Sequence, residues 1–212
     1  MSEMIRVRKE EEEDFKKMSK VYTDKLVPTI VRLLKSSGEE FVDEGISSET
    51  VERWMKWSYS HTAKNTTYKA YDVHLTGLYA NSQKVKREGI EVYSEECLAY
   101  RDKEIAEDIK NGVSETDSWQ KFHKKTMGEH SRPQNVSRDM NLSSKNIEEE
   151  WKDNVFGQPF CAIMKEQDKE IGKNGFAFKG DGPEERYHFN IVKTNTWQEE
   201  WKRQEEKFKN GN

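Results

Sequence analysis

Apolar and polar positions change period several times along this chain, and each change marks an element. Residues 4–8 alternate, with Ile5 and Val7 between charged neighbours, as a short strand does. From Glu10 to Tyr22 the period becomes helical. Acids sit at the start, where the helix dipole favours them, and Phe15, Met18 and Tyr22 at i, i+3 and i+7 make one apolar stripe. A second helix is predicted from Asp24 to Ser36, with Asp24 as cap and Pro28 tolerated in its first turn. Leu26, Ile30, Leu33 and Leu34 form its buried side, and Gly38 ends it. Ser47 or Ser48 caps a third helix, in which Val51, Trp54, Met55 and Ser58 share a face. Thr66 or Thr67 opens a fourth, running to Gln83 with Tyr68, Tyr71, Leu75 and Leu78 as its stripe.

Ser94 then caps an acidic helix to Lys110, with Leu98, Ile105 and Ile109 as core contacts and Asn111-Gly112 as the stop. A shorter helix follows from Asp117 or Ser118 to Met127, burying Trp119 and Phe122. Gly128 to Ser144 holds Gly, Pro, Asn and Ser without periodicity, the pattern of a long loop. After a helical turn over Ile147–Trp151, three segments alternate like strands: Pro159–Lys165, Asn174–Lys179 and Arg186–Lys193. Gly180-Asp181-Gly182-Pro183 is a turn signal between the last two. Thr196 and Glu199 fit a capping box, and the helix behind them presents Trp197, Trp201 and Phe208 toward the sheet.

The elements add up to an α+β fold, predominantly α-helical. It has about five or six helices, plus a small antiparallel β-meander and a closing helix in the C-terminal third. By region, 1–127 is helical, 128–146 is a loop or linker, and 147–212 is the small sheet with its Trp-rich helix, packed on the helical region as one domain.

Composition qualifies this picture. Charged residues make up 36% of the 212 and hydrophobic residues 33%, a balance that leans toward long solvated helix faces. Six Trp, eight Tyr and nine Phe supply the core area that the aliphatic residues do not. No stretch approaches the roughly 20 apolar residues of a membrane span, and Met1 to Arg6 lacks the apolar core of a secretory signal. Only Cys97 and Cys161 are present, too few for a disulfide framework or a closed zinc site. An intracellular protein, cytoplasmic or nuclear, with no membrane partner is expected. Asn65, Asn135 and Asn141 match the glycosylation pattern, which such a setting makes incidental.

Charge is strongly blocked. Arg53, Lys56, Lys64, Lys69, Lys84, Lys86 and Arg87 face a single acid, Asp72, and six Trp or Tyr are interleaved among them. Glu88 to Asp117 reverses the sign, with ten acids against Arg101, Lys103 and Lys110. Lys121, Lys124, Lys125, Arg132 and Arg138 then restore it against Glu129. Cations neutralise phosphates and flat aromatic faces stack on unpaired bases, so the two basic blocks form a candidate surface for single-stranded RNA or another polyanion. The competing arrangement is internal. The acidic helix 94–110 lies between the basic blocks and can pair with them, and a pI of about 5.9 is unlike a generic nucleic-acid binder.

Candidate chemistry is sparse. Cys161 and His188 fall on two of the expected strands, so strand pairing would make a thiol–imidazole site, oriented by Asn190 or Asp181. His123 and His130, seven apart among lysines, match no zinc spacing and are expected at the surface. No phosphate-binding glycine loop occurs, and neither a cofactor nor a metal is expected. Met4-Ile5-Arg6-Val7-Arg8-Lys9 followed by Glu13-Asp14-Phe15 resembles the opening strand and helix of the GNAT-type acetyltransferases. That family's Gln/Arg-x-x-Gly-x-Gly/Ala pyrophosphate loop has no counterpart in mid-chain, so no activity is carried over. The expectation is therefore a non-catalytic binding or assembly protein, nucleocapsid- or scaffold-like. It would act through charged helical faces on itself, on a protein partner or on RNA. A small enzyme built around Cys161 and His188 is the contrasting expectation.

Overall fold

A computed structural model describes residues 9–62, 89–173, 175 and 179–211. The strand expected at 4–8, the helix expected from Thr66 to Gln83 and most of the strand expected at 174–179 lie outside the described residues. The chain divides into two compact units, one of residues 1–84 and 134–157, the other of residues 85–133 and 158–212. It passes from the second back to the first between Pro133 and Gln134, inside the stretch expected to be a linker.

The first unit is built on one long helix, α1 (Glu12–Asp43), entered through a 3-10 turn at Lys9–Glu11. Two helices broken at Tyr22–Asp24 were expected, but the helix runs straight through. Pro28 lies inside it, a position that costs about 3 kcal/mol for the lost hydrogen bond and the ring clash. Burial on one face offsets that cost. Val27 and Val31 are fully buried, and Thr23 and Leu34 nearly so, at positions that recur every three or four residues across the proline. Helix α2 (Ser48–Thr62) returns alongside α1, burying Val51, Ser58 and Tyr59. Gly38 permits the close approach, because a Cβ there would lie 2.8 Å from the Met55 sulfur. Helices α5 (Gln134–Ser143) and α6 (Ile147–Phe156) complete the unit, with Ile147, Trp151 and Val155 buried. A polar chain is buried between them: Asn154 Nδ2 donates to Asn141 Oδ1 at 3.1 Å, and Asn141 Nδ2 donates to Tyr59 Oη at 2.9 Å. Satisfied buried amides of this kind fix the register of the helices that carry them.

The second unit holds a four-stranded sheet in the order β2-β3-β1-β4, with β1 Val92–Ser94, β2 Thr126–His130, β3 Phe160–Met164 and β4 Ile191–Lys193. It is mixed, not an antiparallel meander. β2 and β4 run antiparallel to their neighbours, but β1 pairs parallel to β3, with Val92 opposite Cys161 and Tyr93 opposite Ala162. The correction has a local cause. Three residues ending at the Ser94 cap are too few to show alternation, yet they insert between β3 and β4. The helix count is corrected as well: nine α-helices occur among the described residues. Besides those above they are α3 (Glu95–Lys110), α4 (Glu115–Lys125), α7 (Lys165–Lys173), α8 (Pro183–Arg186) and α9 (Trp197–Lys209).

Alternation along β3 divides the second unit's core between two faces. Ala162 points to the side where Tyr93, Cys97, Ile105, Trp119, Phe122, Trp197 and Trp201 pack. Cys161 and Ile163 point to the other, with Ile171 and Tyr187. Ser94 caps α3 as expected, accepting from Cys97 N at 3.1 Å, and the Thr196–Glu199 capping box is complete. Trp197 and Trp201 are buried, but Phe208 is exposed. The stretch 128–146 is not a loop, since it contains most of β2, all of α5 and the loop into α6. Likewise only Ile191–Lys193 of the expected strand 186–193 is extended in the sheet. Gly182, at φ 115°, instead leads Pro183–Arg186 into a short helix that buries Arg186.

Candidate functional site

Two places deserve a functional reading: the sheet face around Cys161, and the helical surfaces that carry exposed cations or exposed apolar side chains.

Cys161 lies in mid-β3 with no exposure. Its sulfur is 3.0 Å from Ser131 Oγ, and burial pushes the thiol up to about 11. A thiol so placed stays protonated at neutral pH and reacts slowly. His188 is not beside it. β1 lies between β3 and β4, and His188 precedes β4, exposed, with Nε2 3.4 Å from Glu170 Oε2. The residues expected to orient a dyad are engaged elsewhere: Asp181 accepts from Arg132 Nε at 2.6 Å, and Asn190 donates to Glu95 at 3.3 Å. What surrounds Cys161 is a set of structural ties. Arg186 donates to Glu129, both side chains being largely buried, and Gly182 N donates to Ser131 O at 3.2 Å. Burial raises the Glu129 carboxyl and the Tyr187 phenol above their ordinary values, and Arg186 opposes the first of these. His130, expected at the surface, is buried at the end of β2, with its ring edge-to-face on Phe160. No group of three or more metal-ligating side chains occurs among the described residues.

Of the twelve basic candidates, seven are among the described residues, three in the first unit and four in the second. Lys64, Lys69, Lys84, Lys86 and Arg87 lie outside the described residues. Lys56 binds Glu52 at 2.7 Å and sits 3.9 Å from Asp139, to which Arg138 also donates. Lys121 reaches back to the acidic helix, its ammonium 2.6 Å from the buried Asp108 carboxylate, whose hydrogen bond raises the lysine's pKa. Arg132 is buried on Asp181. Arg53, Lys124 and Lys125 stand exposed without a carboxylate partner among the described residues. Internal pairing thus accounts for four of the seven described cations. The helix 94–110 also pairs within itself: Arg101, fully buried, lies 4.6 Å over the Tyr93 ring and donates to Asp102 and to the Asn195 carbonyl.

The feature that sequence reasoning placed wrongly is the outer face of α1. Met18, Val21 and Leu33 are 56%, 54% and 67% exposed, and Tyr22 is also open. At about 100° per residue, Met18 and Val27 point in opposite directions, whereas Met18, Tyr22 and Leu33 fall within about 60°. The helix therefore has two apolar stripes, and only the one through Thr23, Val27, Val31 and Leu34 faces the unit's core. The outer stripe borders an open apolar groove lined on α1 by Lys17, Met18, Val21, Tyr22, Lys25 and Leu26. The signal was present in the sequence. Read as one continuous helix through Pro28, the spacing of Met18, Tyr22 and Leu33 sets them apart from Val27 and Val31.

No helix among the described residues is long and apolar enough to cross a membrane. A scan against protein-family models and searches of curated proteins and of solved structures found no match to the chain.

Proposed function

We propose that the chain is a non-catalytic binding and assembly protein, working through exposed helical faces, with the outer face of α1 as its main contact surface. One observation carries this reading. Met18, Val21 and Leu33 are each more than half exposed along one side of a 32-residue helix whose other side is already buried. Scattered exposed apolar residues are ordinary on a protein surface. Met18, Val21 and Tyr22, within about one turn of each other on the edge of an apolar groove, have the character of a contact site. Trp57, 60% exposed on α2, adds a large aromatic surface to the same unit.

The alternatives have less support. A polyanion surface rests on Arg53, Lys124 and Lys125 among the described residues, since the other described cations have carboxylates of their own. A thiol enzyme would need an accessible, low-pKa cysteine, and Cys161 is neither.

Sedimentation equilibrium or multi-angle light scattering from about 1 μM to about 300 μM tests the assembly reading, a range set by the weak affinity that a small interface supports. The apparent mass is expected to rise with concentration, and Val21→Glu, at an exposed position on the groove, is expected to reduce the rise. A strict monomer throughout would overturn the reading. Retention on heparin at low salt, lost steeply as salt rises, would instead favour the polyanion surface.

A further inference from the structure

We infer that the outer face of α1 is a two-fold, antiparallel docking surface for a second copy of the same helix, centred between Ser19 and Lys20. This rests on the assembly reading and specifies its partner and geometry. The face is self-complementary in charge. Asp14 and Lys25 are eleven residues apart, about 16 Å along the axis, and both lie within about 40° of Met18 around the helix. Both are exposed, and neither has an ion-pair partner among the described residues. Met18 and Val21, the exposed apolar pair, lie between them and border the groove.

An antiparallel partner related by a two-fold axis at that midpoint places Asp14 opposite Lys25 of the second copy, and Lys25 opposite its Asp14. The same operation places Met18 opposite Val21, and Val21 opposite Met18. These four positions then match acid to base and apolar to apolar, as an isologous interface requires, while Lys17 falls level with Tyr22 of the second copy, a cation beside an aromatic side chain. A parallel, in-register pairing would instead set Asp14 on Asp14 and Lys25 on Lys25, with no gain from charge. The patch spans only a few helical turns, well short of a standard interface of roughly 800 Å² per partner, so the dimer is weak and concentration-dependent.

Charge reversal tests the geometry. Exposed ion pairs are worth up to about 1 kcal/mol each, and the two-fold doubles every change. Asp14→Lys or Lys25→Asp alone is therefore expected to weaken dimerisation about ten-fold, read by sedimentation equilibrium. The double variant Asp14→Lys/Lys25→Asp swaps the pairs and is expected to return to within about three-fold of the original chain. The unmodified dimer is expected to weaken as salt screens these pairs. A dimer that tolerates both single reversals, fails to recover in the double variant or ignores salt would overturn this pairing and leave self-assembly standing. A monomer at every concentration would remove both.

Discussion

Replacing Arg186 with methionine leaves Glu129 in its buried place on β2 without the guanidinium that neutralises it. In the native protein Arg186 is 4% exposed and Glu129 15% by side chain, and the two are hydrogen-bonded. Breaking such a pair from one side costs about 3–5 kcal/mol, because the abandoned charge keeps its desolvation penalty. Glu129 retains some water contact, so the lower end, about 3 kcal/mol, applies. With a urea m-value of about 2 kcal/mol/M, the midpoint of the second unit's transition should fall by about 1.5 M. The loss should also depend on pH. Burial already raises the Glu129 carboxyl, aided by the charge of Asp168 and opposed by Arg186. A carboxyl with a raised folded value is favoured in its protonated form. The stability it supports is present at low pH and declines as pH climbs from the ordinary value of 4.5 through the folded one. Removing Arg186 lifts the folded value further, so the variant's deficit should be larger at about pH 8 than at about pH 5. Glu129→Gln combined with Arg186→Met should recover most of the loss by removing the stranded charge. A midpoint shift below about 0.5 M, or a deficit equal at both pH values, would refute a buried, coupled pair.

Gly128→Ala should destabilise by about 1–3 kcal/mol in thermal unfolding, since its Cβ would lie 2.3 Å from the Phe160 ring and the ring must move. A neutral result would mean that the ring is not held against the β2 backbone. Thr196→Ala removes one half of the capping box and should cost about 1 kcal/mol by urea titration, with Thr196→Ser close to the original. Ellman's reagent should label neither cysteine of the folded protein at neutral pH, and both after unfolding, because Cys97 and Cys161 are fully buried. Rapid labelling of Cys161 in the folded chain would revive a catalytic role for it.

Elements that rest on local chemistry were legible from the residues alone. The Ser94 cap, the Asn111-Gly112 stop, the helix over Ser48–Thr62 and the Thr196–Glu199 box all depend on contacts within a turn or two, and their residue types announce them. The internal pairing of acidic and basic blocks was legible as an option and is realised in part, through Lys121 and Asp108. The Cys161–His188 site was not legible in this way, because it required two particular strands to be neighbours. That is a property of strand order, and β1 takes the place between them.

Sequence by itself determined where the helices behind Ser94 and Thr196 begin and where the acidic helix stops at Asn111-Gly112, that the second unit's core would be aromatic, and that the charges would fall in opposed blocks. Tertiary structure alone decided three things: that α1 runs unbroken through Pro28, that three residues at Val92–Ser94 join the sheet parallel to β3, and which of α1's two apolar stripes is buried. The physical reason is the same in each case. Caps and turns are satisfied by neighbours a few residues away, whereas the burial that outweighs a proline's penalty, or that chooses one helix face over another, comes from side chains distant in the chain. Met18 and Val27 belong to the same helix and the same chemical class. Only the elements packed against one side of α1 distinguish them.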